Sequence, residues 1–450
     1  MLARNVNVIM IAFFIAVLCY STAARSKKAI LVGEAITLID RYYVDPVDDR
    51  ELVEAAMAGL TSRLDEHSEF IPPSMYGAFK DVIEQEFAGI GILVEQPEKA
   101  KPVRVITPLV GSPALAAGIL PGDQILKVND EDVSGLEIGA VSDRLRGPVG
   151  TSLTLTVRRK VDEAEKEVNI DLSRRTIELE SVVGSHRDEK NRWVFRLREH
   201  PEIAYVRLTS FGEKTVGELK GVLESLNNDF ESLILDVRAN SGGLLFAAVE
   251  VCDDFLESGR IVSIKKRGGE VDSAFDASKG VLVRSDIPIV VLIDGNSASA
   301  SEIVAACLQD HGRAQVVGQR SFGKGTVQNV LSLDYGRSAL KLTTARYYRP
   351  NGHNIHRAAD ATEEDEWGVS PDEGLEVIID EAGYRKLVQQ WQKSSFPVLS
   401  GADAKVLAGE VEAAADPQLL KAIEVLRAVK GRDGTEAEVD GQPAESRKAA

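Results

Sequence analysis

Two stretches of this chain share one pattern: an apolar, β-branched run of buried-strand length, a polar turn, then a largely apolar helix. In the first, Leu233–Val237 reads as the strand, Arg238–Gly243 as a Gly-rich turn, and Leu244–Leu256 as a helix with Phe246, Val249 and Phe255 apolar. In the second, Ile287–Ile293 is the strand and Asp294–Ser297 supplies turn chemistry. A mostly buried helix then runs from Ser301 and Glu302 through Ile303, Val304, Ala306, Cys307 and Leu308 toward Gly312. Another strand leads to a lysine packed between glycines, and Thr326–Leu331 is strand-like. Upstream, residues 27–71 read as helices, with Leu31, Ala35, Ile36, Leu38 and Ile39 on one face and Leu52, Ala55, Ala56 and Leu60 on another. A β-rich unit covers about Phe87–Leu172. From Tyr384 the pattern is helical again, and the charged stretch Gly431–Ala450 is expected to be disordered. The expected division is a leader over 1–26, a helical part of the core over 27–82, a β-rich domain over 83–173, an α/β core over 174–383, and a tail over 384–450.

A length of 450 residues suits two or three domains, and 44% hydrophobic with 27% charged residues is ordinary for a globular protein. The net charge of −17 argues against nucleic acid as a partner. Arg4 precedes an apolar run from Val6 to Cys19, then Thr22-x-Ala24 and the basic Arg25, Lys27 and Lys28. This is a secretory signal or a short signal anchor, which puts the remainder outside the cytoplasm, in a periplasm or cell envelope. The run is borderline for crossing a bilayer, so cleavage and membrane anchoring both stay open. Cys252 and Cys307 lie in apolar helical patterns and read as buried free thiols. The close pair His353 and His356 sits in a Pro/Gly/Asn loop, solvated or facing substrate, and no Cys/His cluster suggests a metal. No cofactor is expected.

The chemistry concentrates in Ile293–Gln328. Ser299 stands at a strand-to-helix corner, where the Ala300 N–H points out of an uncapped first turn toward a developing oxyanion. A serine hydroxyl needs a base to take its proton, and no histidine but His311, more than three helical turns away, is near. Lys324 is the best candidate. At pH 7 roughly one unperturbed lysine in two or three thousand is neutral. Desolvation can lower a buried lysine by about 3–5 units, and Phe322, Gly323 and Gly325 suit a dry pocket with close backbone. Gly242 and Gly243, at the other corner, offer a second oxyanion donor.

Three look-alike motifs fail on context. Asn240-Ser-Gly-Gly243 imitates a trypsin-like nucleophile loop, but none of the six histidines lies in a base motif. Ser321-x-x-Lys324 imitates a helical Ser-Lys dyad, yet glycines and a strand surround Lys324. Gly318-x4-Gly323-Lys324 nearly forms a phosphate loop, but Gly325 replaces the required Ser or Thr and a strand follows.

The β-rich unit contains Gly89-Ile-Gly-Ile92, a short helix over Ser112–Gly118, Pro121-Gly-Asp-Gln-Ile-Leu126, and the turn Leu145–Thr151. It resembles a PDZ domain, whose members add a peptide as an extra strand and cap its C-terminal carboxylate with backbone amides. Gly89, Ile90, Gly91 and Ile92 would be that cap. The PDZ unit followed by Asp236–Gly243, Ser297–Ile303 and Ser321–Gln328 resembles the C-terminal processing peptidases, also called tail-specific proteases. That resemblance implies an α/β protease core of βα units similar to the ClpP/crotonase-like spiral. It implies Ser299 as nucleophile, Lys324 as base, Gln328 as the residue that positions the lysine, and Ala300 and Gly242 as oxyanion amides. Arg207–Phe211, Arg346–Pro350 and Gly368–Asp372 look like further family segments, while the acidic insertion Asp360–Glu366 departs from the pattern. Arg146 would link the bound tail to the active site, with activation and inhibition both open. Protein or peptide substrates bound by apolar C-termini are implied, and such families form dimers or cages, which leaves homo-oligomers open. The competing reading is an inert PDZ scaffold on a protease-like fold. Keeping Ser299, Lys324 and Gln328 together favours the enzyme.

Overall fold

The structure, a computed structural model, describes residues 29–398 and 416–439 apart from 100, 162–163, 279 and 363, together with positions 10 and 13. The expected leader therefore lies almost wholly outside the described residues, as does the tail from 440. Among the described residues no helix is long and apolar enough to cross a membrane.

The chain divides into two compact units, Met1–Gly77 with Val327–Thr344, and Ala78–Thr326 with Ala345–Ala450. In the first, a helix over 29–42 precedes the helix Asp49–Thr61, whose N-terminus Asp48 caps by accepting the Arg50 N–H at 2.8 Å. The strand Glu69–Ile71 pairs antiparallel with Ala339–Lys341. Ile30, Leu31, Leu38, Tyr42 and Leu60 stay exposed, so the apolar faces read from the sequence are not buried within this unit.

The second unit holds a β-rich domain and a parallel-sheet core. In the domain, β1 (Ile92–Glu95), β2 (Arg104–Pro108), β3 (Gln124–Val128), β4 (Ser152–Val161) and β5 (Ala164–Ser173) lie in that order in one antiparallel sheet, leaving β1 at an edge. Helix α1 (Ile138–Leu145) contributes Val141 and Leu145 to a core with Ile90, Val105, Ile125, Leu155 and Val157. In the core, β6 (Val182–Val183), β7 (Ile203–Leu208), β8 (Ser232–Asp236), β9 (Ile289–Ile293) and β10 (Gln315–Gly318) are neighbours in sequence order. All pairs but β6–β7 are parallel, and β7, β8 and β9 are buried throughout, which is why they read as continuous apolar runs rather than alternating ones. Helices α2 (Thr215–Leu226), α3 (Leu245–Asp253) and α4 (Ala300–Asp310) connect the strands, and α3 packs against α4.

Helices α5 (Glu381–Ser394) and α6 (Pro417–Val439) close the chain. Ala422, Ile423, Val425 and Leu426 of α6 pack on Ile234, Val290, Leu292 and Val317 of the sheet. The backbone stays helical to Val439, continuing a helix whose first turns are anchored by that apolar contact.

Candidate active site

Both strand-turn-helix corners lie at the C-terminal end of the parallel sheet, where ligands of open α/β sheets bind. Asp294 joins them. Its carboxylate accepts the Ala239 N–H at 3.0 Å and the Asn296 N–H at 2.9 Å, and Ser297 Oγ donates to Val237 O at 2.8 Å. Ala239 takes a positive φ of 55°, a conformation that costs a non-glycine residue about 1–2 kcal/mol and that these bonds hold in place.

Ser299 is the N-cap of α4, buried, with φ 57° and ψ −112°. Such backbone costs on the order of 1–3 kcal/mol and persists only where its surroundings dictate it. Three residues on, Glu302 is fully buried and accepts four bonds. Its Oε2 takes the N–H of Ser299 at 2.7 Å and of Lys324 at 2.8 Å, while Oε1 takes Ser321 Oγ at 2.6 Å and the Gly323 N–H at 2.7 Å. One carboxylate oxygen therefore joins the backbones of Ser299 and Lys324. Burial pushes the Glu302 carboxyl up to about 6, against the bonds from Ser321, Gly323, Ser299 and Lys324. The sequence reading took the first turn as uncapped. In fact Glu302 reaches back to the N-cap amide, and the Ser-x-x-Glu spacing at Ser299 was the available signal.

Lys324 is partly buried. Its loop is close-packed: a Cβ at Gly325 would lie 2.2 Å from the His356 nitrogen, and one at Gly323 would lie 2.8 Å from Arg357 Cβ. Phe322, expected to wall a dry pocket, is 44% exposed instead. Ser321 is buried, donating to Glu302 and accepting the Val369 N–H at 2.7 Å, and Ser241 is exposed. Gln328 belongs to the first unit, where its Nε2 donates to Thr343 Oγ1 at 3.2 Å.

The Ser299 hydroxyl has a partner the sequence reading missed, the Tyr347 phenol at 2.8 Å. Burial pushes that phenol up to about 12, although its bond to Ser299 acts the other way. Gly242, φ 99°, presses its Cα on Ser299: a Cβ there would meet Ser299 Cβ at 2.8 Å and the Ala300 nitrogen at 2.9 Å. Its own N–H is engaged by Asn240 Oδ1 at 2.9 Å. Ala300 opens α4, among the first-turn amides that no helical carbonyl can serve. A cavity of about 870 Å³ lies elsewhere in this unit, beside Ser112, Trp193, Arg207 and Trp391, and neither Ser299 nor Lys324 lines it.

In the β-rich domain, Gly91 has φ 74° and sits where a Cβ would strike Ser112 Cβ at 2.4 Å. Gly89 ends a strand paired with Arg175, Ile90 is buried, and Ile92 begins the edge strand β1. Just beyond the far end of β1, Gln96 is tied to α1, donating to Leu136 O and accepting the Ile138 N–H at 3.1 Å. A free strand edge alongside a helix is a place where a peptide can add. Arg146, at the end of α1, is held by Asp81 and stacks 5.2 Å from the Phe87 ring centre, so it is an engaged cation.

Residues 202–374 match the family model of peptidase family S41, and residues 104–159 match that of the PDZ domain. The chain is 34% identical over 384 residues to a carboxy-terminal-processing protease of Bartonella bacilliformis, covering 82% of each chain. It is 32% identical over 340 residues to the carboxy-terminal processing protease CtpA of Bacillus subtilis, covering 75% of this chain and 68% of that one. Among solved structures, a photosystem II D1 C-terminal processing protease aligns over 78% of this chain and 93% of its own, at 28% identity and a TM-score of 0.43. The chain belongs to peptidase family S41: it is a serine-type peptidase related to the carboxy-terminal processing proteases, it carries a PDZ domain, and its substrates are proteins.

Proposed function

We propose that this peptidase captures the apolar C-terminal tail of a protein substrate on its PDZ domain and cleaves the chain through a Ser299–Lys324 acyl-enzyme mechanism. The observation that carries the reading is the Glu302 carboxylate, which binds the Ser299 and Lys324 backbones through one oxygen. Neutral Lys324 takes the Ser299 proton as Oγ attacks the scissile carbonyl. The Ala300 amide and that of Gly242, released from Asn240, receive the oxyanion. Lys324 then passes its proton to the leaving amine, and water, activated by the same lysine, hydrolyses the ester. Gly89–Ile92 cap the tail carboxylate while the tail extends β1, and Arg146, released from Asp81 and Phe87, reports its arrival to the core.

The proposal extends to the address and the architecture. The enzyme works outside the cytoplasm behind the leader 1–26, cleaved or kept as an anchor, and assembles as a homo-oligomer. Its 174–383 core follows the ClpP/crotonase-like spiral. The test is cleavage of an unfolded reporter ending in an apolar residue, compared with its C-terminally amidated twin. A hydrogen bond to a charged group contributes about 1.5–3 kcal/mol, so the free acid should be cut at least tenfold faster. Equal rates would remove carboxylate recognition. No cleavage of either would leave the inert-scaffold reading standing.

A further inference from the structure

The Arg238–Gly243 turn is gripped by a part of the chain far from it in sequence. The Arg238 side chain is fully buried. It donates to Asp236 Oδ1 at 3.0 Å and Oδ2 at 2.7 Å, to both oxygens of Asp416 at 2.9 Å, and to Gln418 Oε1 at 3.1 Å. Asp416 stands 178 residues away and also caps α6, accepting the Leu419 N–H at 3.0 Å. The Trp391 ring of α5 lies 4.9 Å from the Arg238 guanidinium and 3.6 Å from that of Arg207. The other turn is held from the same side: Asn296 Nδ2 donates to Tyr384 Oη of α5 at 2.8 Å.

From Arg238 the path to the nucleophile is short. It passes through the strained Ala239 to Asn240, whose carbonyl accepts the Ala298 N–H at 3.0 Å and Ser301 Oγ at 2.8 Å, on either side of Ser299. The Asn240 side chain donates to Leu208 O at 2.8 Å and receives the Gly242 amide. Two buried guanidiniums, Arg238 and Arg207, act on Asp236, so a second carboxylate also serves charge balance here. The second carboxylate, fixed to a helix that is itself packed on the sheet, adds a fixed point.

We propose that Asp416 is a positioning residue: by clamping Arg238 it fixes the Asn240–Gly242 turn against Ser299, which makes the start of α6 part of the catalytic machinery. The inference rests on the reading of Ser299 as nucleophile.

The test uses the full chain with Asp416→Asn and Asp416→Ala, compared with Leu223→Ala, a core truncation in α2 remote from both turns. Each variant is assayed at a temperature where circular dichroism shows it folded, for kcat, KM and the rate at which a fluorophosphonate labels Ser299. A displacement of about 1 Å costs on the order of a hundredfold in rate, so Asp416→Ala should lose about that in kcat and in labelling, with KM within about twofold. Asp416→Asn, which keeps the shape and one acceptor, should lose about tenfold. Leu223→Ala should lower the melting temperature and leave kcat near wild type. The clamp is overturned if folded Asp416→Asn and any folded Asp416→Ala keep wild-type kcat and labelling. Retained cleavage by Ser299→Ala would instead sink the nucleophile assignment, whatever happens at Asp416.

Discussion

The Ser299 hydroxyl lies 2.8 Å from the phenol of Tyr347, and both groups are buried. With the phenol pushed up to about 12, it keeps its proton throughout the neutral range. It can therefore donate to Oγ and leave the serine's own proton for a base. Tyr347→Phe keeps the ring and deletes that donor. Such a neutral bond contributes about 0.5–1.5 kcal/mol, so kcat should fall roughly three- to tenfold with KM unchanged. Steady-state kinetics decide it: an unaltered kcat takes Tyr347 out of the mechanism.

Glu302 predicts the shape of the acid limb. Its folded value, raised to about 6 from 4.5, means that its contribution to stability is present below about 4.5 and is lost as the pH rises through 6. Between those limits the fold should lose about 2 kcal/mol from this group, measurable by urea unfolding across the window. Activity runs the other way. A protonated, neutral Glu302 is a weaker acceptor for the Ser299 and Lys324 amides than the carboxylate. A plot of log kcat/KM against pH should therefore steepen by about one unit of slope below pH 6, where Glu302 takes up its proton. Glu302→Gln should cost on the order of 3 kcal/mol of stability and most of the activity, and its residual profile should lack the steeper segment. A wild-type profile that keeps one slope from above pH 6 down to pH 4.5 contradicts this role.

Backbone strain at Ser299 gives a prediction about stability alone. At φ 57° and ψ −112° glycine is nearly free of the penalty that alanine keeps. Ser299→Gly and Ser299→Ala should both be inactive, yet Ser299→Gly should melt at an equal or higher temperature. A clear deficit of Ser299→Gly against Ser299→Ala would mean that the neighbours do not strain this residue.

The elements that position the site were legible where a local pattern carried them. The strands Ser232–Asp236 and Ile289–Ile293 are buried runs, and the glycines at 242 and 243 mark a turn that no Cβ would fit. What escaped the sequence reading depends on distant pairing. Tyr347 reaches Ser299 across 48 residues, Arg146 finds Asp81 across 65, and Asp416 grips Arg238 across 178; no periodicity encodes such contacts. Glu302 was missed for another reason. Its Ser-x-x-Glu spacing was visible, but the first turn reads as uncapped when Ser299 is assigned to chemistry rather than to capping, and the capping box at Ser299 and Glu302 goes unnoticed. Phe322 misled because an aromatic beside two glycines suggests a wall, whereas here the glycines themselves are the close-packed part.

The central claim is that Ser299 and Lys324 act as one unit, and the most direct test is kcat/KM for Ser299→Ala, Lys324→Ala and the double variant on one apolar-tailed substrate. If each needs the other, either single change should remove cleavage by about the same factor, on the order of 10⁴ or more, and the double variant should be no worse than the singles. Lys324→Ala within tenfold of wild type, or a double-variant loss equal to the product of two partial losses, would contradict the dyad.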